Sequence, residues 1–143
     1  MSHPKLFDLR STSGRIDARW RGRWEEPDAE AYVQALEAAY RAGPVEALVV
    51  DATQLEHCSI LARGRLADAQ ERLKTHQTRC VYLADSPQIR GLCLWIVRVA
   101  EDANARVVAR KDEVDAWLES REGRLERAKR RADLAFSKLK GLA

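Results

Sequence analysis

The sequence predicts an α/β domain with the element order β-β-α-β-α-β-α-β-α, a mostly parallel sheet with an N-terminal β-hairpin, and a C-terminal amphipathic helix. A strictly alternating segment near the N-terminus predicts the hairpin. Three later apolar runs have the character of strands, and segments with helical spacing separate them. Strands separated by single helices need crossover connections, which are mainly right-handed and make the strands parallel.

The hairpin is predicted first in the chain. Leu6 to Leu9 form a short strand, and the small residues at 11–14 provide a turn with a glycine available for positive φ. From Arg15 to Trp24 apolar and charged residues alternate strictly, which is typical of a half-buried strand. We interpret its four arginines as the solvated face of that strand, with phosphate binding as the alternative.

Two helices and a central strand are predicted next. The first helix begins after Pro27 with Asp28 as its N-cap and ends at Gly43-Pro44. Val45 to Val50 form a central strand, and a loop is expected from Ala52 to Cys58. The second helix runs from about Ser59, its N-cap, to about His76. Its apolar positions are Ile60, Leu61, Leu66, Ala69 and Leu73.

The last part of the predicted fold begins with a strand from Cys80 to Ala84. Pro87 starts a third helix, the most hydrophobic of the chain. A short strand from Arg106 to Ala109 and a helix capped by Asp112 follow, with Val114, Trp117 and Leu118 facing the core. The residues expected to be buried are Val49, Val50, Val81, Leu83, Trp95 and Trp117.

Composition indicates a globular domain rather than a membrane or disordered chain. The 143 residues are 33% charged and 45% hydrophobic, which suffices for one core. The longest uncharged run has seven residues against the roughly 20 that span a bilayer, and the N-terminus has no signal-peptide pattern. We therefore expect a cytoplasmic protein. Three cysteines without a CxxC spacing indicate reduced thiols.

No pattern in the sequence indicates catalysis. His57 and Cys58 are adjacent, but Cys-His pairs usually come from different segments, and no nucleotide, hydrolase or zinc motif occurs. We therefore expect no enzyme activity, no cofactor and no metal site. Cys80 and Cys93 are interpreted as small core residues. The tryptophans are interpreted as core as well, with a cavity for a small apolar ligand as the alternative.

The C-terminal segment, residues 119–143, is separate in character from residues 1–118. It carries eight basic and four acidic residues, whereas residues 1–118 have a net charge of −1. Apolar residues from Leu118 to Leu142 follow a heptad frame and make one face apolar. This helix can pack on its own domain, dock a protein partner or a second copy, or bind nucleic acid or an anionic membrane. The candidate contact residues are Leu125, Arg127, Arg130, Arg131, Leu139 and Leu142.

Three stretches resemble the STAS superfamily, in particular its SpoIIAA-like branch, which is grouped with lipid-transfer CRAL-TRIO proteins. They are residues 47–51 (ALVVD), 79–87 (RCVYLADSP) and 105–118, the last of which ends in Ala-Trp-Leu. The resemblance implies a STAS-like single domain over residues 1–118. It also implies a non-enzymatic regulatory module of bacterial signalling or assembly that docks a protein partner through its surface and C-terminal helix. The alternative that it implies is a carrier of a lipid-like ligand.

The resemblance also directs attention to Ser59. Phospho-switched STAS domains present an Asp-Ser pair at the start of the helix that follows the strand ending here in Asp51, and a kinase phosphorylates that serine. Residues 55–61 (LEHCSIL) lack the pair, and Ser59 is the only hydroxyl near the position. A phosphate there would meet free N–H groups and the positive end of the helix dipole. A simple N-cap explains the same residue without a kinase.

Overall fold

The computed structural model describes residues 5–119. Its strands are β1 (Phe7–Thr12), β2 (Arg15–Trp24), β3 (Ala47–Cys58), β4 (Arg79–Leu83) and β5 (Ala105–Val108). Its helices are α1 (Glu26–Ala42), α2 (Ile60–Leu73), α3 (Pro87–Ala100) and α4 (Lys111–Leu118), and a 3₁₀ turn (Lys74–His76) follows α2. The elements come in the predicted order, and the α/β fold is confirmed.

The five strands form one sheet in the order β1-β2-β3-β4-β5. β1 and β2 are the antiparallel hairpin, and every other neighbouring pair is parallel. A helix connects each parallel pair, as the crossover rule requires. The carboxyl ends of β2 and β3 therefore lie at the same edge of the sheet, where α1 and α2 begin.

Helices cover the two faces of the sheet unequally. α1, α2 and α3 pack side by side and share a large apolar cluster with one face, whereas α4 packs against β4 and β5. Alternate strand residues point to opposite faces. Accordingly, Val50 and Tyr82 belong to the large cluster, and Val49 and Val81 belong to the smaller cluster with α4.

β3 is twice as long as predicted, and the expected loop from Ala52 to Cys58 is wrong. That segment pairs with β2 as far as Cys58, which lies opposite Trp24, whereas β4 pairs with β3 only as far as Asp51. The β2–β3 register shifts twice, and Gly22 lies in this irregular region with a φ of 72°. A Cβ at Gly22 would lie 3.1 Å from Leu6, which also favours glycine there.

Two predicted helix caps are displaced. The N-cap of α1 is Glu25, and Asp28 is the third helical residue, whose carboxylate accepts a hydrogen bond from the Glu25 N–H at 2.8 Å. The N-cap of α4 is Arg110 rather than Asp112, which lies in the first turn. Asp28 thus satisfies the start of α1 from inside its first turn, whereas Asp112 places its negative charge at the positive end of the α4 dipole.

The predicted core is confirmed at four of six positions, because Val49, Val50, Val81 and Leu83 are buried. The prediction for Trp95 is wrong: its side chain is 43% exposed, because Leu92, Cys93 and Ile96 occupy the inward face of α3. The prediction for Trp117 is only partly right, since this residue is half-buried against the smaller cluster. The Arg79 guanidinium stacks 3.8 Å from the centre of the Trp117 ring.

Candidate interaction site

The candidate site lies where β2 and β3 end and the helices α1 and α2 begin. The Ser59 N–H donates a hydrogen bond to the Trp24 carbonyl at 3.0 Å, which joins the two strand ends. A groove of about 500 Å³ opens here. Its lining residues are Glu25, Glu26, Pro27, His57, Cys58, Ser59, Ile60, Leu61 and Arg63.

Ser59 is the N-cap of α2, as its position in the sequence predicts. Its hydroxyl accepts a hydrogen bond from the Ala62 N–H at 3.2 Å, and its carbonyl accepts one from the Arg63 N–H at 2.9 Å. The Arg63 side chain turns back and donates from Nε to the Cys58 carbonyl at 2.9 Å. The helix start is therefore held by three local bonds, and Ser59 remains partly exposed.

Two large apolar side chains project from this helix start into solvent. Ile60 is 84% exposed and Leu61 is 66% exposed, although their spacing suggested that they continue the core-facing pattern of α2. The inward positions of the helix are instead taken by Ala62, Leu66 and Ala69. We name Ile60 and Leu61 the α2 apolar pair.

Charged side chains surround the α2 apolar pair. The Arg65 guanidinium forms ion pairs with Glu26 at 3.0 Å and with Glu30 at 3.4 Å, which links the first two turns of α1 to the second turn of α2. Glu25 and Arg63 line the groove itself. An apolar centre with a charged rim is the general anatomy of a protein-binding surface.

The cysteines have the chemistry of core residues. Burial raises the pKa of the Cys58 thiol to about 11 and that of Cys93 to about 12, and it raises the pKa of Cys80 still further. The thiolate is the nucleophilic form, so these groups are poor nucleophiles at neutral pH. Cys58 borders the groove but does not make a reactive centre there. Within residues 5–119, no group of three or more His, Cys, Asp or Glu side chains could hold a metal ion.

The arginine face of β2 is a paired and solvated surface. Arg15 forms an ion pair with Asp17 at 3.0 Å, Arg21 forms one with Asp8, and Arg19 and Arg23 are exposed. The tail positions proposed as contacts, Leu125, Arg127, Arg130, Arg131, Leu139 and Leu142, lie outside the described residues and stay predictions. Among residues 5–119, no helix is both long and apolar enough to cross a membrane.

Sequence reasoning missed a second exposed apolar group on α3. Leu94, Trp95 and Val99 are 43–50% exposed, beside the exposed Gly91 and Arg98. On a helical projection of α3, Leu94 falls opposite Leu92, Cys93 and Ile96. Trp95 and Val99 follow Leu92 by three and seven residues, which are spacings that place them beside the inward face. The high hydrophobicity of α3 conceals this exposed group, because nearly every residue of the helix resembles a core residue.

Comparison with solved structures identifies the architecture. The anti-sigma factor antagonist SpoIIAA in its unphosphorylated form matches with a TM-score of 0.59 and 15% identity, over 76% of this chain and 93% of that protein. The fold is SpoIIAA-like. An anti-sigma factor antagonist from Mycobacterium paratuberculosis matches with a TM-score of 0.59 and 20% identity, over 81% of this chain and 97% of that protein.

A third protein with the SpoIIAA-like fold belongs to the DUF3478 family and comes from Shewanella loihica. It matches with a TM-score of 0.57 and 18% identity, over 82% of this chain and 98% of that protein. The sequence itself matches no protein-family model and no curated protein. The likeness is therefore one of fold, and it agrees with the STAS resemblance found in the sequence.

Proposed function

We propose that this chain is a non-enzymatic regulatory module that docks a protein partner through the surface at the start of α2 and through its C-terminal segment, residues 119–143. The observation that carries the proposal is the α2 apolar pair, which is exposed beside a groove at the carboxyl edge of the sheet. Two of the structural neighbours are anti-sigma factor antagonists, which supports a regulatory role based on protein contacts.

Energetics favour a docking role for the α2 apolar pair. Burying one aliphatic side chain of this size contributes about 1.5–3 kcal/mol, so Ile60 and Leu61 can act as anchors of an interface. The neighbouring carboxylates and guanidiniums then select the partner by charge. The tail adds a second apolar stripe through Leu125, Leu139 and Leu142, which fits a groove on a partner in the same manner.

The first prediction concerns capture of the partner by variants of this surface. Replacing Ile60 and Leu61 by glutamine removes both apolar anchors. The variant should therefore fail to capture from native cells the partner that the wild-type chain captures. Replacing Leu94 and Val99 of α3 by glutamine removes two exposed apolar groups from another part of the surface and should leave capture intact. Quantitative mass spectrometry of the captured proteins measures both effects. Equal capture by all variants would remove the α2 surface from the proposal.

The same assay tests the tail. Polar replacements at Leu125, Leu139 and Leu142 should weaken capture, whereas neutralising Arg127, Arg130 and Arg131 should matter less. Steep loss of binding with added salt, together with sensitivity to the charge changes, would instead indicate nucleic acid or an anionic membrane as the target. Capture that survives deletion of residues 119–143 would exclude a docking role for the tail.

The second prediction concerns Ser59. Ser59→Ala removes the hydroxyl that caps α2 and should lower the free energy of unfolding by about 1 kcal/mol in urea titrations. Ser59→Asp keeps an acceptor and adds negative charge at the helix start, so its stability should stay close to wild type. If phosphorylation regulates docking, only Ser59→Asp should alter capture, and the intact mass of protein from the native host should include a phosphorylated species. An unmodified mass under all growth conditions would contradict the switch.

A further inference from the structure

The outer edge of β1 carries an unused pairing surface. β1 is the first strand of the sheet order, and within residues 5–119 no strand pairs with its outer side. Natural edge strands are commonly blocked by proline, a bulge, extreme shortness or charged side chains. β1 carries two exposed charged residues, Asp8 and Arg10, but their charges are opposite in sign. β1 has six residues without proline, and its register with β2 is regular throughout. As far as the described residues go, this edge is therefore open to another strand.

The hairpin geometry fixes which backbone groups face outward. The turn at Ser13-Gly14 closes on the pair Thr12 and Arg15, which makes this a hydrogen-bonded pair in a two-residue hairpin. The Arg21 N–H donates to the Leu6 carbonyl at 2.8 Å, which shows the same alternation at the other end. The even-numbered residues of β1 thus bond to β2. The N–H and C=O groups of Phe7, Leu9 and Ser11 point to the open edge.

These outward groups are arranged to pair with a second copy of the same strand. Consider two antiparallel β1 strands related by a two-fold axis at Leu9. Leu9 of one copy would exchange two backbone hydrogen bonds with Leu9 of the other, and Phe7 would do so with Ser11 of the other copy. The facing residues between these hydrogen-bonded pairs form non-hydrogen-bonded pairs, in which the two side chains lie close together. In this register Asp8 faces Arg10 of the second copy, and Arg10 faces Asp8.

Charge distinguishes this register from its neighbours. A two-fold axis at Asp8 would oppose two aspartates, and one at Arg10 would oppose two arginines, both of which destabilise a strand pair. Arg10 is exposed and forms no ion pair within residues 5–119, so its guanidinium is available. The half-buried Leu9 side chain meets its own copy on the helix side of the sheet.

We propose that this protein forms a symmetric dimer in which two β1 strands pair antiparallel about Leu9 and join two five-stranded sheets into one. The dimer uses the hairpin edge and leaves the α2 apolar pair free for another protein. It does not depend on the proposed function, so either can fail without the other.

The third prediction tests the pairing by charge exchange. In a dimer of Asp8→Lys the new lysine would face Arg10 of the second copy, and in a dimer of Arg10→Glu the new glutamate would face Asp8. Both contacts are repulsive, so each variant alone should sediment as a 16.2 kDa monomer. An equimolar mixture restores attraction at both positions and should sediment at twice that mass, as the wild type should. The ion pair of Asp8 with Arg21 is exposed, so its loss should leave Asp8→Lys folded. Arg10→Glu keeps this ion pair, and circular dichroism verifies the fold of both variants. A monomeric wild type, dimeric single variants or a mixture that stays monomeric would each overturn the proposal.

A disulfide test fixes the register independently. Facing Cα atoms in a hydrogen-bonded pair lie about 5.5 Å apart, within the range that a disulfide spans. Leu9→Cys should therefore form a covalent dimer under mild oxidation, whereas Arg10→Cys should not. The native thiols at Cys58, Cys80 and Cys93 are buried and do not compete. Absence of crosslinking in Leu9→Cys, or preferential crosslinking in Arg10→Cys, would exclude pairing about Leu9.

Discussion

Trp20→Ala is expected to lower the free energy of unfolding by about 3–5 kcal/mol. Trp20 is completely buried, and its ring centre lies 5.2 Å from those of Trp24 and Tyr32 and 5.7 Å from that of Tyr82. These rings come from β2, α1 and β4, so Trp20 joins the sheet to a helix. Alanine would leave a cavity that the surrounding rings cannot fill without losing their own contacts.

Trp95→Ala is the control for that experiment. It removes the same side chain from an exposed position of α3 and should cost less than about 1 kcal/mol. Urea unfolding followed by far-UV circular dichroism measures both variants without relying on tryptophan emission. Trp20→Phe keeps part of the packing and should give an intermediate loss, which preserves the test if the alanine variant does not fold. Similar losses in Trp20→Ala and Trp95→Ala would contradict the assigned core.

The strands were predictable where burial imposes a local pattern. β2 alternates because one face packs on helices and the other meets solvent, so its bounds, Arg15–Trp24, follow directly from the sequence. The second half of β3 carries no comparable pattern: Thr53, Gln54 and Glu56 are all exposed. That segment is a strand because it pairs with β2, and pairing between distant segments leaves no mark on local composition.

The candidate site was predictable in position but not in character. Ser59 directly precedes a helical pattern, so its capping role could be inferred from local chemistry. The exposure of Ile60 and Leu61 could not, because apolar residues in the first turn fit the core pattern equally well until the direction of the helix over the sheet is known. The same ambiguity led to the wrong prediction for Trp95. Hydrophobicity states what a side chain prefers, whereas packing decides whether another element is present to cover it.

The second large effect is expected at a buried polar network between α2, β4 and the end of α3. Gln70 Nε2 donates to the Asp102 carboxylate at 2.8 Å, and the Tyr82 hydroxyl donates to Gln70 Oε1 at 2.5 Å. Burial raises the pKa of Tyr82 well above its ordinary value, so the hydroxyl stays protonated and able to donate. Asp102 also accepts from the Asn104 N–H at 3.0 Å. The Gln70 amide therefore provides hydrogen-bond partners for two groups at once, the Tyr82 hydroxyl and the Asp102 carboxylate.

Gln70→Leu should lower the free energy of unfolding by about 3 kcal/mol, because it leaves the Tyr82 hydroxyl and one Asp102 oxygen buried without this partner. Tyr82→Phe removes the hydroxyl itself and should cost only about 1 kcal/mol. The double variant has no Tyr82 hydroxyl that would need an acceptor. The stability lost by the double variant should therefore be smaller than the sum of the losses in the two single variants. Urea unfolding of the four proteins measures this coupling. Strict additivity would mean that Gln70 and Tyr82 act independently, and the network would then not be what fixes α2 on the sheet.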